Sequence, residues 1–125
     1  MTSRIAQWTL DVADSGKMAA FSSAALGYRI EHGGEGPHLW PPDDAPPETP
    51  TVWLQPTHES KRGKNRSHPD LYVLDGGDVE AEVERLIALG ATRADVGQTG
   101  DEGFVVMADP EGNEFCLLYR KNAWG

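Results

Sequence analysis

A repeat constrains this chain more than any other feature. Residues 7–14 are Gln7, Trp8, Thr9, Leu10, Asp11, Val12, Ala13 and Asp14, and they align with residues 68–75. In that alignment Leu10 falls on Leu71, Val12 on Val73 and Asp14 on Asp75, a constant step of 61. A helical pattern follows each segment and stops at Leu-Gly, at Leu26-Gly27 and again at Leu89-Gly90, a step of 63. The second copy therefore carries two extra residues, near Gly76 and Gly77. Two copies of about 61 residues nearly exhaust a chain of 125, so the sequence reads as one unit written twice.

Each copy opens with strand alternation. Leu10 and Val12 share one face, with Gln7, Thr9 and Asp11 on the other; Leu71 and Val73 share a face opposite His68, Asp70 and Tyr72. One sheet face is thus apolar and calls for a covering helix, while the other carries polar and aromatic groups. The helices suit that role. Met18, Phe21 and Ala25 recur at helical spacing, and Val79, Val83, Leu86 and Ile87 form an apolar stripe. Asp14 or Ser15 caps the first helix and Asp78 the second, and Gly27 and Gly90 stand where a helix end needs positive φ.

Three short strands are expected after each helix, at 28–31, 38–40 and 51–56 in the first copy and at 92–96, 103–108 and 114–119 in the second. The run Asp109-Pro110-Glu111-Gly112-Asn113 is turn chemistry, and the proline-rich, acidic stretch 41–50 reads as a surface loop. The expected organisation is a single domain over 1–125, with module 1 at about 4–57, a linker at about 58–66 and module 2 at about 67–119.

Charge narrows the partners. Eleven basic residues against 20 acidic ones leave a formal net charge of −9, which repels phosphate backbones and anionic lipid. No nucleic acid and no membrane partner is expected. The basic cluster of Lys61, Arg62, Lys64 and Arg66 reads as a solvated loop, with a contact to phosphate or an acidic ligand as the alternative. Cys116 is the one cysteine, so no internal disulfide forms. With no apolar run near the ~18 residues of a membrane span and no apolar signal segment, the expected location is cytoplasmic.

Two tandem βαβββ units with Asp109-Pro110-Glu111-Gly112-Asn113-Glu114-Phe115 before the last strand resemble the vicinal oxygen chelate superfamily, in its glyoxalase-like branch. Residues 64–71, Leu89 to Arg93, Asp109 to Leu118 and Phe21 to Tyr28 carry the likeness. It implies an α+β fold in which the two modules form a curved mixed sheet around a cavity, as in glyoxalase, bleomycin resistance and dihydroxybiphenyl dioxygenase proteins. It also implies a homodimer.

The resemblance further implies four metal-facing strand positions, one on the first and one on the last strand of each unit. Here they are Gln7, His68, Gln55 and Cys116. The last-strand ligands of the family are normally Glu, and this set has no carboxylate to offset a dication. No cofactor is therefore expected, and the open alternative is Zn, Ni or Fe held by Gln7, His68 and Glu114. The plainer readings are a hydrogen-bonded pocket histidine at His68 and a small buried apolar residue at Cys116.

Gln7, Trp53, Gln55, His68, Asp70, Tyr72 and Cys116 are the expected ligand-binding residues, and His68, Asp70 and Glu114 the catalytic candidates. Asp70 and Asp11 could serve as acid and base, or pair with Arg66 or Arg4. Trp8 falls on the helix-covered face, Trp53 is pocket wall or core, and Trp40 lines the pocket or a dimer contact. Two functions follow. One is metal-free binding or sequestration of a small organic molecule, as in bleomycin resistance proteins. The other is a divalent-metal-dependent lyase, isomerase or dioxygenase.

Overall fold

The computed structural model of the chain describes residues 2–74, 78–94 and 103–118. They divide into two compact units, Met1–Ser60 and Lys61–Gly125. The first unit contains β1 (Gln7–Val12), α1 (Ser15–Leu26), β2 (Arg29–Glu31), β3 (His38–Trp40) and β4 (Thr51–Pro56). The second contains β5 (Asp70–Tyr72), α2 (Val79–Leu89), β6 (Thr92–Arg93), β7 (Phe104–Ala108) and β8 (Glu114–Leu118). Parts of the expected strands 92–96 and 114–119, and the extra residues Gly76 and Gly77, lie outside the described residues.

The two sheets repeat one topology, β1-β4-β3-β2 and β5-β8-β7-β6. In each, the first and last strands of the unit pair in parallel and the other neighbours are antiparallel. Both are α+β modules of the expected βαβββ order. Leu10 pairs with Leu54 and Leu71 with Leu117, so the 61-residue step for the opening strand places equivalent residues in equivalent strands.

Alternation decides which face is covered. On β1, Gln7, Thr9 and Asp11 are exposed, while Trp8 and Leu10 are half-buried and Val12 is buried. Val12, Leu39 and Leu54 join Met18 and Ala19 of α1 in one cluster, with Leu10, Tyr28 and Val52 packed on its rim. In the second unit Val83 and Leu86 of α2 are buried, as are Met107, Phe115 and Leu117. Ile87 departs from the expected stripe and stands exposed.

Local chemistry stops and starts the helices as the sequence requires. The Asp14 carboxylate accepts the Lys17 N–H at 3.0 Å, and Asp78 accepts from Glu80 and Ala81. Gly27, at φ +71°, donates its N–H to the Ser23 carbonyl. The turn before β8 is built by buried Asp109, whose Oδ1 accepts the N–H groups of Glu111 and Asn113, each at 2.9 Å. Burial raises the Asp109 pKa, and the N–H groups of Asn113 and Glu111 and the Asn113 amide oppose that rise.

One expectation about the linker fails. Lys61 is not a solvated cation. Its Nζ lies 3.2 Å from both carboxylate oxygens of Glu114, with the Gly63 carbonyl as a further acceptor. The Asn65 N–H donates to Glu114 Oε2 at 3.3 Å. Glu114 is itself buried, and a buried carboxylate needs such partners to stay charged. Burial raises the Glu114 pKa, but its own backbone N–H, Lys61 and Asn65 outweigh that and hold it below the ordinary value of 4.5.

Two outcomes test this account. Gly36 sits at φ +113°, where an added Cβ would run into the Leu54 carbonyl and Pro56. Gly36→Ala should cost at least about 1–2 kcal/mol from the backbone alone, with more from the forced shift of β4; urea unfolding at unchanged stability would refute it. Because the Glu114 pKa is depressed on folding, its contribution is present above about pH 4.5 and lost as the pH falls through the lower folded value. Glu114→Gln should lower stability at neutral pH by about 1–3 kcal/mol and remove that acid-side decline. Parallel pH–stability curves for the two proteins would count against the pairing.

Candidate binding and metal site

The faces not covered by the helices carry the candidate residues, and each unit builds its own set. In the first, register places Gln7 beside Thr51, Thr9 beside Trp53, and Asp11 beside Gln55, with His38 across from Trp53 on the other side. Gln7 Oε1 accepts from the Thr51 hydroxyl at 3.3 Å, and its Nε2 donates to Thr9 at 3.3 Å. His38 Nε2 shares a 2.9 Å hydrogen bond with the same Thr51 hydroxyl. The His38 ring stacks on Trp40 with centroids 4.6 Å apart. Trp53 is half-buried and fixed by its indole N–H, which donates to the Glu35 carbonyl at 3.2 Å. Gln55 is exposed at the end of β4.

His38 and Thr51 were not among the expected residues. The signal was available: in His38-Leu39-Trp40 the apolar Leu39 must face the core, so His38 and Trp40 face away from it. Arg4 pairs with Glu48 at 3.0 Å rather than with Asp11.

The second unit gathers ionisable groups. Asp70 pairs with Cys116 across the parallel ladder, anchored by the Cys116 N–H donating to the Pro69 carbonyl at 3.0 Å. His68 Nδ1 lies 3.2 Å from Asp70 Oδ1. A nitrogen of His68, a carboxylate oxygen of Asp70 and the sulfur of Cys116 all lie within 4.8 Å of one another. Among the described residues this is the one group of three metal-capable side chains. Burial pushes the Cys116 thiol up to about 11; the charge of Asp70 and the hydrogen bond to it add to the rise, and Lys64 opposes it. Tyr72 continues the same face of β5, half-exposed, paired in register with Leu118.

Two expectations need correction. Laying Gln55 on Cys116 assumed the 61-residue step throughout. The ladders pair Thr9 with Trp53 but Asp70 with Cys116, so when Thr9 is laid on Asp70 the residue matching Cys116 is Trp53. The two-residue excess seen at the helix end carries through to β8. The metal alternative also changes composition. Glu114 shares the Cys116 side of β8, but its carboxylate is bound to Lys61 and Asn65. The carboxylate that joins His68 is Asp70. The second unit's donors thus fit a divalent metal: imidazole, carboxylate and thiolate are all ligands of zinc, and two anions supply the charge that the four strand positions lacked.

Comparison with known proteins agrees with this architecture. No curated protein matches the chain. Among solved structures, the fosfomycin resistance protein FosX from Mesorhizobium loti superposes with a TM-score of 0.71 at 15% identity, covering 97% of this chain and 94% of that one. A FosX mutant from Listeria monocytogenes, complexed with Mn(II) and a dihydroxypropylphosphonic acid, gives 0.70 at 18% identity, covering 95% and 91%. A glyoxalase/bleomycin resistance protein/dioxygenase family enzyme from Burkholderia phytofirmans gives 0.69 at 16%, covering 92% and 97%. These likenesses show the fold. No helix among the described residues is long and apolar enough to cross a membrane. The glyoxalase-like domain profile matches residues 7–118, nearly the whole repeat, and the chain belongs to that family.

Proposed function

We propose that the chain binds a small, partly aromatic organic molecule on the uncovered sheet faces of its modules, in the manner of a binding or sequestering protein. The observation that carries this reading is the surface of the first unit. Gln7, Thr51 and His38 form one hydrogen-bonded chain beside the Trp53 and Trp40 rings. Flat rings for stacking and a few fixed amide, hydroxyl and imidazole groups for orientation are what a small-molecule site requires. Gln7 and Gln55 are neutral, so this part of the site works without a metal. His68, Asp70, Tyr72 and Cys116 form the second unit's share of the reading.

The resemblance supports a homodimer, and the acidic surface fits a protein free in the cytoplasm. A second reading has a specific observation behind it. The grouping of His68, Asp70 and Cys116 favours a metal-dependent lyase, isomerase or dioxygenase, with His68 or Asp70 as proton carrier. Glu114 is a weaker candidate for that role, because Lys61 and Asn65 already hold its carboxylate.

A thermal-shift screen of small aromatic acids, amides and amines tests the binding reading. A compound at 100 times its dissociation constant should add about 2.7 kcal/mol. Trp53→Ala should then weaken binding roughly tenfold or more, since ring contacts add about 0.5–1.5 kcal/mol beyond buried area, while the melting transition stays cooperative. Affinity indifferent to both Trp53→Ala and Tyr72→Ala would reject it.

A further inference from the structure

Four strands stand at sheet ends, β1, β2, β5 and β6, and β2 alone is its own electrostatic complement. It is Arg29-Ile30-Glu31, a cation and an anion on either side of an apolar residue. The other three each carry a single charge, Asp11, Asp70 and Arg93. All of β2 is exposed, and among the described residues β3 is the one strand paired with it. Such an edge presents unpaired N–H and C=O groups, a template for another strand. Register with β3 assigns its faces. Arg29 and Glu31 stand beside Trp40 and His38 on the uncovered side, and Ile30 stands beside buried Leu39 on the core side. Ile30 thus carries the apolar face past the core cluster and into solvent.

We propose that β2 pairs with β2 of a second copy of the chain, antiparallel about a twofold axis through Ile30. This rests on the homodimer reading and names its interface. In that register Arg29 stands opposite the partner's Glu31, Glu31 opposite the partner's Arg29, and the two Ile30 side chains meet. Both ion pairs fall on the uncovered face and the isoleucine pair on the core face. Charge selects this edge. At a formal −9 each, two copies repel one another over much of their surfaces, whereas β2 is neutral and matches its own image. Arg29 lies 3.4 Å from Asp43 in a largely exposed pair, and its guanidinium keeps further N–H groups for a second carboxylate. The pairing joins two four-stranded sheets into one. The partner's β2 then borders the surface that carries His38 and Trp40, one strand beyond Arg29 and Glu31.

The test is sedimentation of the full chain at high micromolar concentration, where twice the 13.6 kDa chain mass is expected. Arg29→Glu and Glu31→Arg each set like charges opposite one another, and each should weaken self-association roughly tenfold or more. An equimolar mixture of the two variants should associate again, because every cross-strand pair in the mixed dimer sets a cation opposite an anion. Circular dichroism checks that both fold. Should either fail, Ile30→Cys decides: with oxidised glutathione it should form a disulfide-linked dimer, since directly opposed strand residues lie within bridging distance, while the parent chain, with Cys116 buried, should not. Dimers that persist in both charge variants, a mixture that stays monomeric, or Ile30→Cys chains that do not cross-link would each overturn the interface. In the first of these cases the homodimer reading survives, whereas a monomeric parent chain overturns both.

Discussion

Parallel pairing between the first and last strand of each module is the constraint from which the rest of the structure follows. It sets Leu10 against Leu54 and Leu71 against Leu117, and those pairs lie on the apolar faces of their sheets. Once they are fixed, period-2 alternation leaves no choice about the other side chains. Gln7, Thr9 and Asp11 must turn away from the first unit's core, as must Asp70 and Tyr72 in the second. The candidate residues are therefore a by-product of core pairing. A slip of one residue in either ladder would bury the polar set and expose the leucines.

Much of this was legible before any coordinates. The repeat, the helix limits, the caps at Asp14 and Asp78 and the turn at Asp109 follow from local rules with physical causes. Periodicity and capping operate within a few residues, so a single sequence displays them. The register of β8 was not legible in that way. The Leu-Gly marker already showed a two-residue excess in the second copy, but nothing local says whether the next three strands inherit it. Ladder pairing answers that, and it moves Trp53 into the place first given to Gln55.

The two misjudged charges have a related origin. Lys61 sits among other basic residues and looks solvated, and Glu114 shares a strand side with Cys116 and looks available. Each is half of one partly buried ion pair across more than fifty positions of chain. Pairings of that range leave no pattern in sequence. For Asp70 the sequence offered an acid–base role or an arginine partner, and the structure sets it against His68, two residues away. The modules have consequently diverged in chemistry while keeping one topology. The first presents rings with amide, hydroxyl and imidazole groups, and the second presents an imidazole, a carboxylate and a thiol beside Tyr72.

The attachment of the 61–65 segment to Glu114 also bears on how such a duplicated chain can be cut. Symmetry alone would start the second half at its first strand. Yet the chain ahead of that strand already belongs to β8: without Lys61 and Asn65, a buried carboxylate would lose its counter-charge and a hydrogen-bond donor. An autonomous second half, whether made by gene dissection or left by an ancestral fusion, has to begin near Lys61 and carry its own leader. The seam of the duplication therefore lies upstream of the repeat that reveals it.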